Sequence, residues 1–232
     1  MSTLPLIIII PICFHLFLSA VVKNIYTYSP NGVPIESWLF PGIIFSFGSL
    51  SMLTIIYRDL FSLQINSEFL KLLAISPNSK FKIISSILLS SLVECLIYSF
   101  ISMLILTFLL PNPFSFLNYF SIICFLVIYL SLMCNLIISL SLLIRRVFIF
   151  LFSSIIILQL FFVSSNILFE YQIYSDMLNI IFFNNPFSML LSDLRNFIFF
   201  NEFNFIWIAI SIAITICWLG LNSALLKRKL KQ

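Results

Sequence analysis

Charge is scarce in this chain: 9% of its 232 residues are Asp, Glu, Lys or Arg, against roughly 25% in a soluble domain. A surface that faces water needs about 25–35% of such residues, so most of this surface must face something else. Glycine is scarce as well, with only Gly32, Gly42, Gly48 and Gly220. None of them precedes a lysine, which excludes a Walker-type phosphate loop. Any ATP the protein uses is therefore bound by another chain. The single histidine, His15, cannot assemble a multi-histidine metal site, so no metal is expected. The five cysteines (Cys13, Cys95, Cys124, Cys134 and Cys217) form no Cys-x-x-Cys pair and read as small apolar filler. No nucleophile elbow and no pair of carboxylates placed for acid–base work is visible. The composition excludes a disulfide scaffold, a disordered chain and a nucleic-acid binder, and it argues against an enzyme with catalytic residues of its own.

What is present is apolar length. The chain is 62% hydrophobic, in long runs without alternating polarity. Barrel strands would alternate over segments of about 10 residues, so helices are expected, and a spanning helix takes about 20 apolar residues. The expected fold is all-α, a single transmembrane domain over residues 1–232 with six spans: Leu4–Val22, Leu39–Tyr57, Ile83–Leu110, Tyr119–Ile144, Val147–Phe169 and Phe205–Leu226. The first run lacks a basic leader and a small-residue cleavage site, so it reads as a span rather than a signal peptide. Residues 170–204 hold two short apolar pieces, Met177–Phe183 and Phe187–Phe200. Each is too short to cross, and they are expected to be re-entrant or interfacial helices.

Lys and Arg placement orients a membrane protein. With both termini cytoplasmic, the inner side receives ten basic residues: Arg58, Lys71, Lys80, Lys82, Arg145, Arg146, Lys227, Arg228, Lys229 and Lys231. The outer side receives two, Lys23 and Arg195. Trp38, Tyr119, Tyr171 and Trp207 then fall near outer boundaries, as an aromatic belt would.

Three groups of polar residues stand out. The inner segment 58–82 begins Arg58-Asp59 and contains the helix stop Ser76-Pro77. Within it, Asn66 or Ser67 can cap a short helix that carries Phe69, Leu70, Leu72 and Leu73 on one side and Glu68 and Lys71 on another. Such a helix either rests on lipid or docks a soluble partner. In the third span, Ser86, Ser90, Glu94, Tyr98 and Ser102 recur every four residues, and Glu94 lies about 18 Å along the helix from Lys82. Ser131, Asn135 and Ser139 form a similar stripe in the fourth span, and Gln159 lies mid-depth in the fifth. Intramembrane polar groups either join helices or line a substrate path; Glu94, Tyr98, Asn135 and Gln159 are the candidates for the latter. The outer segment presents Asn184-Asn185-Pro186-Phe187, in which the proline suits the first turn of a helix. Asp193 and Arg195 follow, placed to hold that helix in the headgroup region.

In this order, the motifs resemble those of the membrane subunit of type-2 ATP-binding-cassette exporters. Trp38-Leu39-Phe40-Pro41-Gly42-Ile43-Ile44 is similar to the hydrophobic-x-x-Pro-Gly-Ile start of that family's second span. Leu72-Leu73-Ala74-Ile75-Ser76-Pro77-Asn78-Ser79 is similar to the Leu-Leu-x-x-(Ser/Thr)-Pro-x-Ser that closes its cytoplasmic coupling region. Asn185-Pro186-Phe187 with Arg195 resembles the Asn-Pro-(Leu/Phe)…Arg of its outer re-entrant helices. The resemblance implies a permease in the plasma (inner) membrane, built from two such subunits, identical or similar. Beneath it would lie separate ATPase subunits that bind ATP and magnesium. It implies a coupling role for Asp59, Glu68, Lys71 and Pro77, and an exit-shaping role for Asn185, Pro186 and Arg195. The related haem-exporter permease ranks lower because its Gly-Thr-Pro signature is absent. An assembly subunit of a larger membrane complex and a self-contained secondary transporter are the readings from other classes.

Overall fold

A computed structural model describes residues 9–13, 15–17, 32–62, 77–110, 113–164 and 185–230. Every regular element among them is helical. In chain order these are α1 (Ile35–Ile56), continued by a π-helical segment (Tyr57–Ser62), α2 (Lys80–Thr107), α3 (Phe116–Leu143), α4 (Val147–Ser164), α5 (Pro186–Phe200) and α6 (Phe205–Lys229). Residues 9–13 and 15–17, inside the expected first span, are also helical. Four helices are long and apolar enough to cross a membrane: Ile35–Ser62, Lys80–Thr107, Phe116–Leu143 and Phe205–Lys229. The protein is thus an all-α integral membrane protein. A shorter apolar run, Val147–Phe162, lies in α4. The short piece at Met177–Phe183 and the helix expected around Glu68 and Lys71 lie outside the described residues.

Polar side chains set where the helices begin. Ser79 accepts from the Lys82 amide at 3.2 Å to start α2. Ser115 does the same for α3 through Asn118, Asn185 for α5 through Phe187, and Asn204 for α6 through Ile206. Each cap satisfies a backbone donor that the first turn would otherwise leave free. Asn201 closes α5 in the left-handed region, at φ 56°.

Helix α1 departs from the expected boundaries at both ends. It begins at Ile35, not Leu39, so Pro41-Gly42 lie within its early turns rather than opening it. Proline forfeits one helical hydrogen bond, and a span tolerates this where neighbours enclose it; both residues are buried. At the other end the helix runs through Arg58 and Asp59 to Ser62, so these two are helical and the connecting segment is shorter than 58–82. The wider π turn lets the consecutive residues Leu60 and Phe61 both face inward while Arg58 stays exposed. Phe61 stacks on Phe150 of α4 at 4.2 Å, with Tyr57 stacked against both.

The helices alternate in direction. Cys95 of α2 donates to the Gly48 carbonyl of α1 at 3.1 Å, at the middle of both helices. One end of the bundle gathers Tyr57, Phe61, Phe150 and the contact of Lys229 with the Ser141 carbonyl. The opposite end gathers Trp38 on Phe199, Phe40 on Phe114 and Tyr119, and Phe125 on Phe203. The first end also carries Lys80, Lys82, Arg145, Arg146, Lys227 and Arg228, whereas Arg195 belongs to the opposite one. It is called the basic end below.

Gly48 sits where α1 packs tightly against side chains of α2 and α3. A Cβ there would lie 3.0 Å from Leu130 Cδ2 and 3.1 Å from Ser99 Oγ. Small residues of this kind let helix backbones approach in a bilayer. A branched side chain would force α2 and α3 apart, at an overpacking cost of about 1–3 kcal/mol. Gly48→Val is therefore expected to lower the thermal unfolding midpoint of the detergent-purified chain. Gly48→Ala, whose gain in helix propensity of about 1 kcal/mol opposes a milder clash, should change it far less.

Candidate functional site

Among the described residues, a cluster of charged side chains surrounds the exposed Arg58 at the end of α1. Its guanidinium grips Glu94 of α2 with both terminal nitrogens, at 3.0 and 2.6 Å. It also donates to both oxygens of Asp59, from Nε at 2.6 Å and Nη2 at 3.0 Å. Tyr98, one turn beyond Glu94, donates its hydroxyl to the same carboxylate at 2.6 Å. Bidentate geometry of this kind is among the stronger charge-assisted arrangements. One cation serves two carboxylates, so the cluster keeps a net negative charge. The contact is also long-reaching. Arg58 lies ten residues beyond Gly48 towards the basic end, roughly 15 Å of helix at 1.5 Å per residue. Glu94 is next to Cys95, at the level of Gly48. The two long side chains close that difference by stretching towards one another.

A second polar system joins α3 to α6. Asn222 donates to the Asn135 carbonyl at 3.0 Å and to Asn135 Oδ1 at 3.1 Å. Ser139 donates to Asn222 Oδ1 at 2.6 Å and accepts from the Trp218 indole at 2.7 Å. Ser131 meets Thr215 at 3.3 Å. Asn135 and Asn222 are wholly buried. In hydrocarbon such a ladder fixes the rotation of one helix against the other.

Gln159 belongs to a third region. It is exposed on α4 and lines a cavity of about 340 Å³ with Ser46, Ser49, Tyr129, Met133 and Phe161. The cavity floor is polar but occupied: Ser46 and Ser49 donate to the Gly42 and Phe45 carbonyls, and Ser49 also reaches the Tyr129 hydroxyl at 3.3 Å. Its walls are apolar. The volume is within the range of small-molecule sites.

At the opposite end, α5 is inserted among the long helices. Phe187 in its first turn packs on Tyr129, at the middle of α3, and on Phe161 of α4. Phe199 in its last turn reaches Trp38 and Phe114. Arg195, expected at a headgroup boundary, is instead fully buried. Its Nε donates to the Trp38 carbonyl at 3.1 Å, and its guanidinium carbon lies 4.5 Å from the Trp38 ring centroid. Asp193 is buried too, and its Oδ2 has no hydrogen-bond partner among the described residues. Burial pushes its carboxyl up to about 6.

A raised carboxyl means that the folded chain binds this proton more tightly than the unfolded chain, whose aspartates titrate near about 3.9. The contribution of Asp193 to stability is then fully present below about pH 4 and is lost as pH rises to about 6. Asp193→Asn cannot ionise and is expected to flatten that part of the profile. Unfolding midpoints of both proteins between pH 4 and pH 8 check this: the variant should gain on the native chain above pH 6.

The structure brings together Asp59, Glu94 and Tyr98 and places Asn135, Gln159 and Arg195 in separate regions. Pro77 lies in a bend two residues before the Ser79 cap. Asn185 and Pro186 form the cap and first turn of α5. Glu68 and Lys71 lie outside the described residues. Sequence reasoning missed Arg58 as the hub, Trp38 as the seat of Arg195, and Asn222 as the partner of Asn135. A signal for the last existed: Thr215, Trp218 and Asn222 recur at helical spacing and share one face. No family model matches the chain, and neither does any curated protein or solved structure.

Proposed function

We propose that this chain is the permease subunit of a type-2 ATP-binding-cassette exporter. It forms the substrate pathway in a plasma (inner) membrane, with both termini in the cytoplasm and ATP hydrolysis on a separate chain. The ordered motifs around Pro41-Gly42, Ser76-Pro77 and Asn185-Pro186 support the reading from sequence. From the structure, the Arg58 bridge carries it. Residues 63–79 connect the end of α1 to the start of α2 in the sequence. Arg58 ties that end of α1 to the middle of α2 through Glu94. A push on the segment by a soluble partner would move both helices as one body. ATP does work in such a device only through its different affinity for the two states of the assembly.

Six spans fit this reading: the four long helices, α4, and an N-terminal span that includes the helical residues 9–13 and 15–17. The re-entrant role of α5 is supported by its contacts, which begin at mid-bundle on Tyr129 and end at Phe114. The cavity at Gln159 is the candidate pathway wall in this scheme, and a second copy of the chain, or a similar one, would complete the pore. Asp59, Glu68, Lys71 and Pro77 would form the coupling region.

The test is co-purification with any P-loop ATPase that is encoded beside the gene. The ATPase is expected to be retained, and reversing the charges of the docking helix with Glu68→Lys and Lys71→Glu should weaken its retention about tenfold, a change of ~1.4 kcal/mol. Retention unaffected by the reversal would assign that helix to the lipid surface. Failure to retain any ATPase would favour an assembly subunit.

A further inference from the structure

Gln159 has a hydrogen-bonding capacity that the bundle does not use. It lies twelve residues beyond Val147, the start of α4. That is roughly 18 Å of helix from the basic end, in a hydrocarbon layer about 30 Å thick. The cavity it lines also touches Ser46 and Ser49, on either side of Gly48 in the middle of α1. Gln159 is therefore near mid-depth, and it is exposed. Exposed hydroxyls on the spans are satisfied within their own helix: Thr54 donates to the Leu50 carbonyl and Ser121 to that of Leu117. The Gln159 amide offers two donors and an acceptor, and it makes no hydrogen bond among the described residues. An unsatisfied polar group is costly in hydrocarbon, so a group from outside this chain meets it.

The cavity beside it, about 340 Å³, narrows the choice of occupant. Leu50 of α1 and Ile155 of α4 line it and are exposed, so its mouth lies between those two helices. Among the described residues, no charged side chain lines it. An ion at mid-membrane without a counter-charge is strongly disfavoured, which excludes an ionised ligand. Ser46 and Ser49 already donate to carbonyls of their own helix. A sugar-like ligand would leave most of its hydroxyls unpaired against apolar walls. A phospholipid tail suits the walls but has nothing to offer the amide, and its ester groups lie about 15 Å away, at the edge of the hydrocarbon. What remains is a neutral molecule with an apolar body and one hydrogen-bonding group. The walls favour rings, because Tyr129 and Phe161 both pack on Phe187 of α5 and are held ready to stack. An apolar cavity of about 150 Å³ takes one benzene, so this one has room for roughly two rings, with a third at the mouth.

We propose that this cavity binds a neutral, mostly apolar molecule of about two or three rings, whose hydrogen-bonding group meets the Gln159 amide. Named as the transported substrate, such a molecule rests on the permease reading above; the binding site itself does not.

The experiment uses the full chain in a neutral detergent and two probes that share one ring system. N-phenylnaphthylamine is neutral with a single N–H, and anilinonaphthalene sulfonate adds a fixed negative charge. Fluorescence above that of empty micelles measures binding, and the thermal unfolding midpoint follows the fold. Saturable binding of the neutral probe is expected, with the sulfonate at least about tenfold weaker. Gln159→Leu keeps an apolar wall and should weaken the neutral probe about fivefold, the equivalent of ~1 kcal/mol for one hydrogen bond. Ile155→Trp crowds the mouth and should weaken it about tenfold. Leu160→Trp, next to Gln159 but off the cavity, should change it less than about twofold. All three positions are exposed, so the midpoint of the probe-free protein should not fall. Equal affinity for the two probes would overturn the proposal, as would unchanged binding in Gln159→Leu. If that unchanged binding came with a shift from dimer to monomer, the amide would be assigned to a second copy of the chain. Equal loss in both tryptophan variants would also overturn it, because the probe would then sit on the helix surface. ATPase retention is read separately. No binding of the neutral probe with the ATPase retained overturns this site alone, and binding without any ATPase keeps the site and removes the transport role.

Discussion

Arg195→Ala is expected to destabilise the protein by about 3 kcal/mol, a large fraction of the ~5–15 kcal/mol that holds a typical domain together. At least two interactions disappear at once. The Trp38 carbonyl loses a charged donor at 3.1 Å, and a hydrogen bond to a charged group contributes about 1.5–3 kcal/mol. The Trp38 ring loses a guanidinium at 4.5 Å, and a desolvated cation–π contact contributes about 2 kcal/mol. The sum is smaller than its parts because both contacts share one side chain and the charge itself costs free energy to bury. Arg195→Lys keeps a cation near the ring but loses the planar stack and the Nε donor, so it should recover roughly half of the loss. Thermal unfolding in detergent measures both variants. The native Trp38 is 4% exposed, so a red-shifted tryptophan emission in Arg195→Ala would show that its seat has opened. An unchanged midpoint would mean that packing of Leu190, Leu191 and Leu194 holds α5 by itself.

Hydropathy alone placed the long helices, because in a chain so poor in charge the few polar breaks between apolar runs mark the turns. It misplaced the ends of α1 for local reasons. Pro41-Gly42 looks like an opening signal because proline usually breaks a helix interior, and the enclosure that makes it tolerable is supplied by other helices. Arg58-Asp59 looks like the first step into water because two adjacent charges are costly in a span. What makes them tolerable is Glu94, 36 residues further on, and no periodicity within one segment announces that pairing.

The candidate site was legible in kind more than in arrangement. The spacing of Ser86 to Ser102 identified a polar face with Glu94 at its centre, and the Ser131–Ser139 stripe identified a polar face on α3. Which faces meet depends on the antiparallel register of α1 against α2 and on the rotation of α6 against α3, and both are tertiary quantities. Arg195 shows the limit most clearly. Its composition signal, one of two cations on the sparsely charged side, fits a headgroup anchor. Its burial depends on Trp38, 157 positions earlier.

The Arg58 cluster yields the second large effect, and the stoichiometry of charge decides its pattern. Arg58→Ala strands two carboxylates, whereas Glu94→Gln leaves one cation with one carboxylate and an amide that can still accept from Arg58 and Tyr98. Breaking a buried pair costs about 3–5 kcal/mol, but the Arg58 side chain is 58% exposed and that of Glu94 26%. The loss for Arg58→Ala is therefore expected at about 2 kcal/mol, and that for Glu94→Gln below about 1 kcal/mol. Reversing one partner is worse than removing it. Arg58→Glu gathers three carboxylates, and Glu94→Arg sets two guanidiniums over Asp59 alone. Combining the reversals restores a cation opposite a carboxylate but leaves the new carboxylate beside Asp59, so rescue should be partial. Adding Asp59→Asn should complete it. Unfolding midpoints of the two single reversals, the double and the triple variant measure this, with an expected coupling of about 1–3 kcal/mol between positions 58 and 94. Strictly additive single effects would mean that solvent screens the pair and that α1 and α2 are joined only by the packing around Gly48. A measured coupling, by contrast, would show that the last turns of α1 and the middle of α2 move as one unit, the property that any force entering through residues 63–79 would need.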